Sequence, residues 1–260
     1  MTEDAHEGDL SAAEDDGLGL TVFENIVPQT FLDEMNAAID ATRETWPAAH
    51  GGPNLPVADA CAKLLRSNKA FRTIEKQTCC EIRKWMRKQS GLALANESIA
   101  SLRCVNHSMP WQAHLRHFDS HLLTLLIPIQ LADGAEQNGD LLLYVQRRKY
   151  ASMLSNVIRK IWLVIQQNRR YETRRRYTSS DLAADKCRRI ACVPGHVYAF
   201  NGFVTLHANL HVTCGERRTL VLHYFDTKLT VRVKNVTLIW NSWRERVMRW
   251  GMVVASRVSE

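Results

Sequence analysis

His117-Phe118-Asp119 is where this 260-residue chain first offers metal chemistry. On a strand, side chains at i and i+2 point to the same face, so an imidazole and a carboxylate can grip one metal ion together. The triplet alone says little, because His-x-Asp combinations are frequent by chance. The segment PGHVYAFNGFVTLHANLHVTCGERRTLVLHYF changes its weight. It offers His207, and a second histidine late in a β-rich region can complete a 2-His-1-carboxylate facial triad. Such a triad leaves three positions open on the metal, enough for a bidentate ligand and O2. His211, four residues later, competes for the same role.

Arg217 follows His207 by ten residues, beyond a Gly-containing turn and on the next expected strand. A guanidinium there can make a two-pronged contact with a carboxylate deep in a barrel. Thr219 faces the same way and can add a hydroxyl bond; Thr124 is a further candidate to face a cosubstrate. His223 shares the inward face and, with His121, is a candidate to line a substrate pocket. His114 and His121 flank the triplet, and a surface or supporting role is the preferred reading for both. Arg218 falls on the opposite face and reads as solvated.

These residues need rigid elements to hold them. A short strand is expected from Leu20 to Phe23, then a helix with Thr30 as N-cap and Asp33 three residues on. Phe31, Leu32, Met35 and Ile39 give that helix one buried face. Gly51-Gly52-Pro53 breaks it and starts a loop, and a second helix is expected from Lys69 to Gln89. Phe71, Ile74, Ile82, Trp85 and Met86 turn inward there. After Asn96 the character changes to short β-rich runs: IASLRCV, LLTLLIPIQL, DLLLYVQ, RIACV, HVYAF, RTLVLHYF and KLTVRV. Gly, Pro, Asn or Asp bound many of them, as expected of antiparallel strands in a sandwich or barrel.

The net charge of +7 is unevenly spread. Residues 1–17 are acidic and read as a disordered tail. Basic residues concentrate between Arg147 and Arg176 and again after Lys228. An inserted helix is expected over 150–165, apolar on the face of Met153, Leu154, Val157, Ile158, Ile161 and Trp162. The end of the chain repeats the theme, with Trp240, Trp243 and Trp250 among arginines. A lid or core-covering helix is the first reading, and an interfacial helix on an anionic membrane surface the second. No nucleic-acid motif accompanies these clusters, which weighs against a nucleic-acid partner. The seven cysteines are odd in number, lack zinc-ribbon spacing and read as reduced thiols. With no signal peptide and no apolar run of roughly 20 residues, the expectation is a cytoplasmic protein, at most peripheral at a membrane.

Taken together, the motifs resemble the Fe(II)/2-oxoglutarate dioxygenase superfamily, in its prolyl-4-hydroxylase-like branch. The likeness rests on His117-x-Asp119, the strand LLTLLIPIQL, and Asn138-Gly139-Asp140-Leu141 where the family has Gly-Gly-Glu-Leu. It continues through Pro194-Gly195 leading to Phe200, and through His207, Val212, Gly215 and Arg217 in the family's spacing. It covers residues 98 to 226, and the order and spacing of the motifs are more specific than any one of them.

The resemblance implies a double-stranded β-helix, a jelly roll that is mainly β with supporting helices. On that pattern residues 18–96 are helical support, 97–236 the core with an insertion at 147–186, and 237–260 an amphipathic helix, all in one domain. It further implies that His117, Asp119 and His207 bind iron and that Arg217 holds the distal carboxylate of 2-oxoglutarate. The His207 assignment follows the Arg and Gly spacing, leaving His211 aside. Implied cofactors are Fe(II) and 2-oxoglutarate, with O2 as cosubstrate and ascorbate as a stimulant. The implied reaction hydroxylates an organic substrate and releases succinate and CO2. Asp119 argues against the halogenating relatives, which need a small residue in its place. The long gap between Asp119 and His207 departs from the family at the substrate pocket. The expected substrate is phosphate-bearing or lipid-linked, or else a natural-product intermediate. Desaturation, ring closure or epimerisation at the same iron are the alternatives, along with a non-catalytic binding jelly roll. The sequence is silent on oligomeric state.

Overall fold

The computed structural model describes residues 19–43, 56–87, 94–132, 138–147 and 165–227. The acidic tail, the 150-to-165 helix, the KLTVRV run and the C-terminal helix expected from sequence lie outside these residues. The chain runs through β1 (Leu20–Phe23), α1 (Gln29–Thr42), α2 (Pro56–Ser67), α3 (Lys69–Arg87), β2 (Leu94–Asn106) and β3 (His121–Gln130). It continues through β4 (Leu141–Arg147), α4 (Tyr171–Ala183), β5 (Cys187–Ile190), β6 (Val197–Phe200), β7 (Thr205–Asn209) and β8 (Glu216–Thr227).

The strands form one sheet in the order β1-β6-β3-β8-β2 and a smaller one in the order β5-β4-β7. Residues 114–117 run along the other side of β7. His114 N donates to Asn209 O at 2.8 Å, and His117 and His207 exchange both backbone bonds at 2.9 and 3.0 Å. This segment completes the small sheet without regular strand geometry, since His114 sits at φ 58°. From β2 onward the chain visits the large sheet, the small one, the large one, the small one twice, then large, small and large. That winding, with antiparallel pairing throughout, is the double-stranded β-helix.

The central strand β3 explains why LLTLLIPIQL does not alternate between apolar and polar. Leu125 and Ile127 face the helices, while Thr124 and Leu126 face the barrel, and all four are buried. Leu32, Met35 and Ile39 of α1, Leu65 of α2 and Phe71 of α3 close over Leu102, Leu125, Ile127, Leu220 and Leu222. Each such side chain contributes about 1.5–3 kcal/mol by leaving water. Between the sheets lie Leu126, Leu141, Leu143, Tyr198 and Phe200. The register shifts at Pro128, whose nitrogen carries no proton for the ladder.

Several local expectations change. Helix α1 is capped by Pro28, not Thr30, and has no side-chain cap bond. The Pro28 carbonyl receives the amides of Phe31 and Leu32. The stretch after Gly51 holds α2, which buries Val57, Ala58, Cys61, Ala62 and Leu65. Strand β7 adds to the β-rich runs: TLHAN has only two apolar residues and owes its conformation to pairing with β4. Arg218 is buried, not solvated: it donates to Asp40 Oδ1 at 2.5 Å and Glu216 Oε1 at 2.8 Å. Arg43 also pairs with Glu216, so β8 is pinned to α1 on the side away from the barrel.

The described part of the insertion packs on the segment just ahead of His117. Arg116 pairs with Asp181 of α4 at 2.9 Å, Gln167 donates to Arg116 O at 2.7 Å, and Arg174 to Trp111 O at 3.1 Å. Among the described residues no helix is long and apolar enough to cross a membrane, and all seven cysteines are free.

Candidate metal centre

His117 does not lie on a regular strand with Asp119, as the spacing suggested. It pairs with His207 of β7 through an isolated antiparallel bridge, which sets the two rings side by side with centroids 4.2 Å apart. Asp119 lies in the loop leading to β3, where its amide donates to Gly202 O at 2.9 Å. The loop turns its carboxylate back to the rings: Oδ1 is 3.7 Å from His117 Nε2 and 3.5 Å from His207 Nε2. One ligand atom from each of the three residues lies within 4.8 Å of the others.

Backbone contacts fix the tautomers. His117 Nδ1 is 2.8 Å from Leu115 O, and His207 Nδ1 is 3.0 Å from Thr205 O. A carbonyl can only accept, so each Nδ1 carries the proton and each Nε2 lone pair points to the shared centre. Desolvation and the neighbouring His207 push His117 down to about 3, keeping it a neutral ligand. Burial works against the charge of Asp119, yet His207, His223 and His117 hold its carboxyl well below the usual range. Burial likewise opposes protonation of His207, but Asp119 outweighs it and raises the pKa in the metal-free site. Two neutral nitrogens and one carboxylate on one side of a point make a donor set that fits a divalent first-row metal such as iron(II).

Thr124 faces the barrel, beside the metal ligands. Its hydroxyl donates to Asp119 Oδ2 at 2.5 Å and lies 3.2 Å from His223 Nδ1. Gly202 completes the pocket: a Cβ there would sit 2.1 Å from Asp119 Oδ2 and 2.5 Å from Thr124 Oγ1. No spacing in the sequence points to Gly202, because the closeness of Asp119 arises only in the fold. Phe200 sets its ring edge-on to His207 at 5.1 Å. His121 stacks on His223, centroids 4.8 Å apart, so both candidates for the pocket lining sit beside the metal ligands. His211 and His114 belong elsewhere, each against the Tyr171 ring at 5.6 and 5.7 Å.

Arg217 and Thr219 both face the barrel and are buried. Arg217 donates Nη1 to Gly139 O, while its buried Nε meets no partner. Desolvation lowers the pKa of its guanidinium, a measure of how poorly water serves the charge there. Gly139, at φ +82°, leaves room for it, since a Cβ would come within 3.1 Å of Arg217 Nη1 and 2.9 Å of Val212 Cγ2. A buried guanidinium with an unfilled donor calls for an anion. The residues therefore fit a dicarboxylate cosubstrate such as 2-oxoglutarate as well as the metal.

The sequence matches no protein-family model and no curated protein. Solved structures resemble the fold. A Pseudomonas putida prolyl-4-hydroxylase aligns over 81% of this chain and 93% of its own, at 13% identity and a TM-score of 0.47. HygX from Streptomyces hygroscopicus, solved with nickel and 2-oxoglutarate bound, aligns over 81% and 83% at 11% identity and a TM-score of 0.45. AviO1 from Streptomyces viridochromogenes aligns over 80% and 90% at 14% identity and 0.47. Likenesses this distant leave the function to the site's own geometry.

Proposed function

We propose that the chain is an Fe(II)- and 2-oxoglutarate-dependent dioxygenase that hydroxylates an unactivated C–H bond of an organic substrate, with release of succinate and CO2. The observation that carries this reading is the pairing, inside one barrel, of a His117/Asp119/His207 donor set with a buried Arg217 whose Nε lacks a partner.

His117, Asp119 and His207 hold the iron on one side and leave its other positions to 2-oxoglutarate and O2. Bound iron supplies the oxygen activation, and the chain supplies position and shelter from water. Arg217 receives the distal carboxylate of 2-oxoglutarate, and Thr219, two residues along the same face, adds a hydroxyl. Thr124 holds Asp119 Oδ2, leaving Oδ1 for the metal. The phenyl edge of Phe200 and the apolar side chains between the sheets keep bulk water from the ligand side. His121 and His223 flank the opening where a substrate would approach. The substrate is a small or lipid-linked molecule, and contact of the basic insertion with an anionic membrane surface is a corollary of the second kind of substrate.

Succinate formation tests the reading before the substrate is known, because such enzymes consume 2-oxoglutarate slowly without one. Aerobic protein with Fe(II) and 2-oxoglutarate should release succinate above the iron-only blank, and His207→Ala should not. Succinate at the blank level in well-folded wild-type protein would remove the enzymatic reading and leave a binding jelly roll. Once a substrate is found, a product gain of one oxygen separates hydroxylation from the loss of two hydrogens in desaturation or ring closure.

A further inference from the structure

On the barrel face of the small sheet, one polar side chain has most of its hydrogen-bonding capacity unused. Asn209 ends β7, two residues beyond the metal ligand His207, and the strand period puts both on one face. The register agrees. Asn209 lies opposite Leu141 and His207 opposite Leu143, and both leucines belong to the apolar filling between the sheets. Ala208 points the other way, packing with Leu142, Leu210 and Leu182 of α4. Strand β4 covers one edge of Asn209, and on the other edge His114 N donates to its carbonyl at 2.8 Å. Asn209 is half-buried, so the surface it keeps opens into the barrel.

Its carboxamide sits at the arginine assigned to 2-oxoglutarate. Nδ2 donates to Gly139 O at 3.3 Å, and Arg217 Nη1 donates to that same oxygen. A carbonyl oxygen only accepts, which fixes the orientation of the amide and puts its nitrogen beside Arg217. Two donors within reach of one oxygen are close enough for the two oxygens of a carboxylate to span them. A carboxamide can take part in up to four hydrogen bonds, yet among the described residues this one makes a single bond. Support of the Gly139 carbonyl accounts for one N–H and leaves the second without a protein partner there. Unused polar capacity beside Leu141, Tyr198 and Phe200 is costly unless a ligand or water meets it.

We propose that Asn209 is a cosubstrate-binding residue, whose second Nδ2 hydrogen goes to the distal carboxylate of 2-oxoglutarate next to Arg217. The inference rests on the oxygenase reading and deepens it. Arg217 and Thr219 reach that carboxylate from β8 of the large sheet, and Asn209 reaches it from β7 of the small one. The bound carboxylate then bridges the two sheets. Asn209 thereby favours a 2-oxo acid that carries the distal carboxylate over one that ends in a methyl group. It leaves the chelating end of the molecule to the metal.

The test titrates anaerobic, Fe(II)-loaded protein with 2-oxoglutarate and, separately, with 2-oxopentanoate, following the visible band of the chelate. 2-Oxopentanoate keeps the carbon chain and the chelating end but has a methyl group in place of the distal carboxylate. Wild type, Asn209→Ala, Asn209→Ser and the equally shaped Asn209→Asp are compared, each first shown to melt cooperatively. Affinity for 2-oxoglutarate should fall about 10- to 100-fold in Asn209→Ala and Asn209→Ser, the scale of a hydrogen bond to a charged group. It should fall further in Asn209→Asp, whose carboxylate occupies Arg217 itself. Affinity for Fe(II) and for 2-oxopentanoate should stay within twofold of wild type in Asn209→Ala and Asn209→Ser. In an Arg217→Ala background, Asn209→Ala should still lower 2-oxoglutarate affinity several-fold. No further loss in that background would make Asn209 a positioning residue acting through Arg217 and overturns the proposal. Wild-type 2-oxoglutarate affinity in Asn209→Ala, or an equal loss for both 2-oxo acids, overturns it too. Absence of the chelate band in iron-loaded wild type overturns the oxygenase reading, and the proposal with it.

Discussion

Thr124 donates its hydroxyl to Oδ2 of Asp119 at 2.5 Å, and this bond decides which carboxylate oxygen is left for the metal. Oδ1 then faces the two Nε2 atoms, at 3.7 and 3.5 Å. Thr124→Val keeps the shape and removes the bond, so the carboxylate is free to rotate. Iron(II) affinity should fall about 10- to 100-fold, as for other outer contacts of metal ligands. Thr124→Ser should recover most of it, and competition with a chromophoric chelator measures both. Unchanged affinity in Thr124→Val would make the bond incidental.

Gly202→Ala should strike the same carboxylate from the other side. Its Cβ would stand 2.1 Å from Asp119 Oδ2, closer than any van der Waals contact, so Asp119 must move. Iron binding should drop at least as far as in Thr124→Val while the far-ultraviolet spectrum is kept. Wild-type iron affinity in a folded Gly202→Ala protein would contradict the geometry.

Much of this was legible in the sequence, and what was not has physical causes. Arg217, Thr219 and His223 could be put on one face because β8 is long and regular, and the two-residue period holds along them. The His117-x-Asp119 pair was legible as a pair but not in its geometry: a bridge to His207 and a loop at Asp119 replace the strand. Thr124 was legible as an inward-facing residue, but its bond to Asp119 arises only in the fold. Arg218 looked solvated because an outward strand residue usually is, but α1 covers that face with Asn36 and Asp40. Helix α2 could have been read, since apolar positions at 57, 58, 61, 62 and 65 keep helical spacing. Strand β7 could not, having too few apolar residues to declare itself.

Gly139 and Arg217 should fail together. Gly139→Ala puts a side chain at φ +82° against Arg217 and Val212. Destabilisation on the order of 1–3 kcal/mol is expected from the strained backbone. The 2-oxoglutarate affinity should fall with iron affinity spared, whereas His207→Ala loses both. Calorimetric titration of iron and of 2-oxoglutarate in turn distinguishes the two patterns; loss of iron binding in a folded Gly139→Ala protein would contradict the assignment.

Glu216 should tie stability to pH. Desolvation opposes its charge, but hydrogen bonds from Arg43 and Arg218 hold its carboxyl below the ordinary value of 4.5. A depressed folded-state pKa stabilises above the unfolded value, and the benefit fades as pH falls through the folded one. Glu216→Gln should therefore lose about 1–3 kcal/mol at pH 7, the scale of a hydrogen bond to a charged group. The gap between the two proteins should narrow as pH drops below the ordinary glutamate range. Urea melts of both across that range test it, and a gap independent of pH would remove Glu216 from the account.

Anaerobic addition of Fe(II) and then 2-oxoglutarate to metal-free protein, watching for the weak visible charge-transfer band of the chelate, tests the paired iron and 2-oxoglutarate sites most directly. It needs no knowledge of the substrate. Wild type should give a saturable band, absent in His207→Ala and formed only at much higher 2-oxoglutarate in Arg217→Ala. A folded wild-type protein that binds iron yet gives no band at any 2-oxoglutarate concentration would contradict the oxygenase reading.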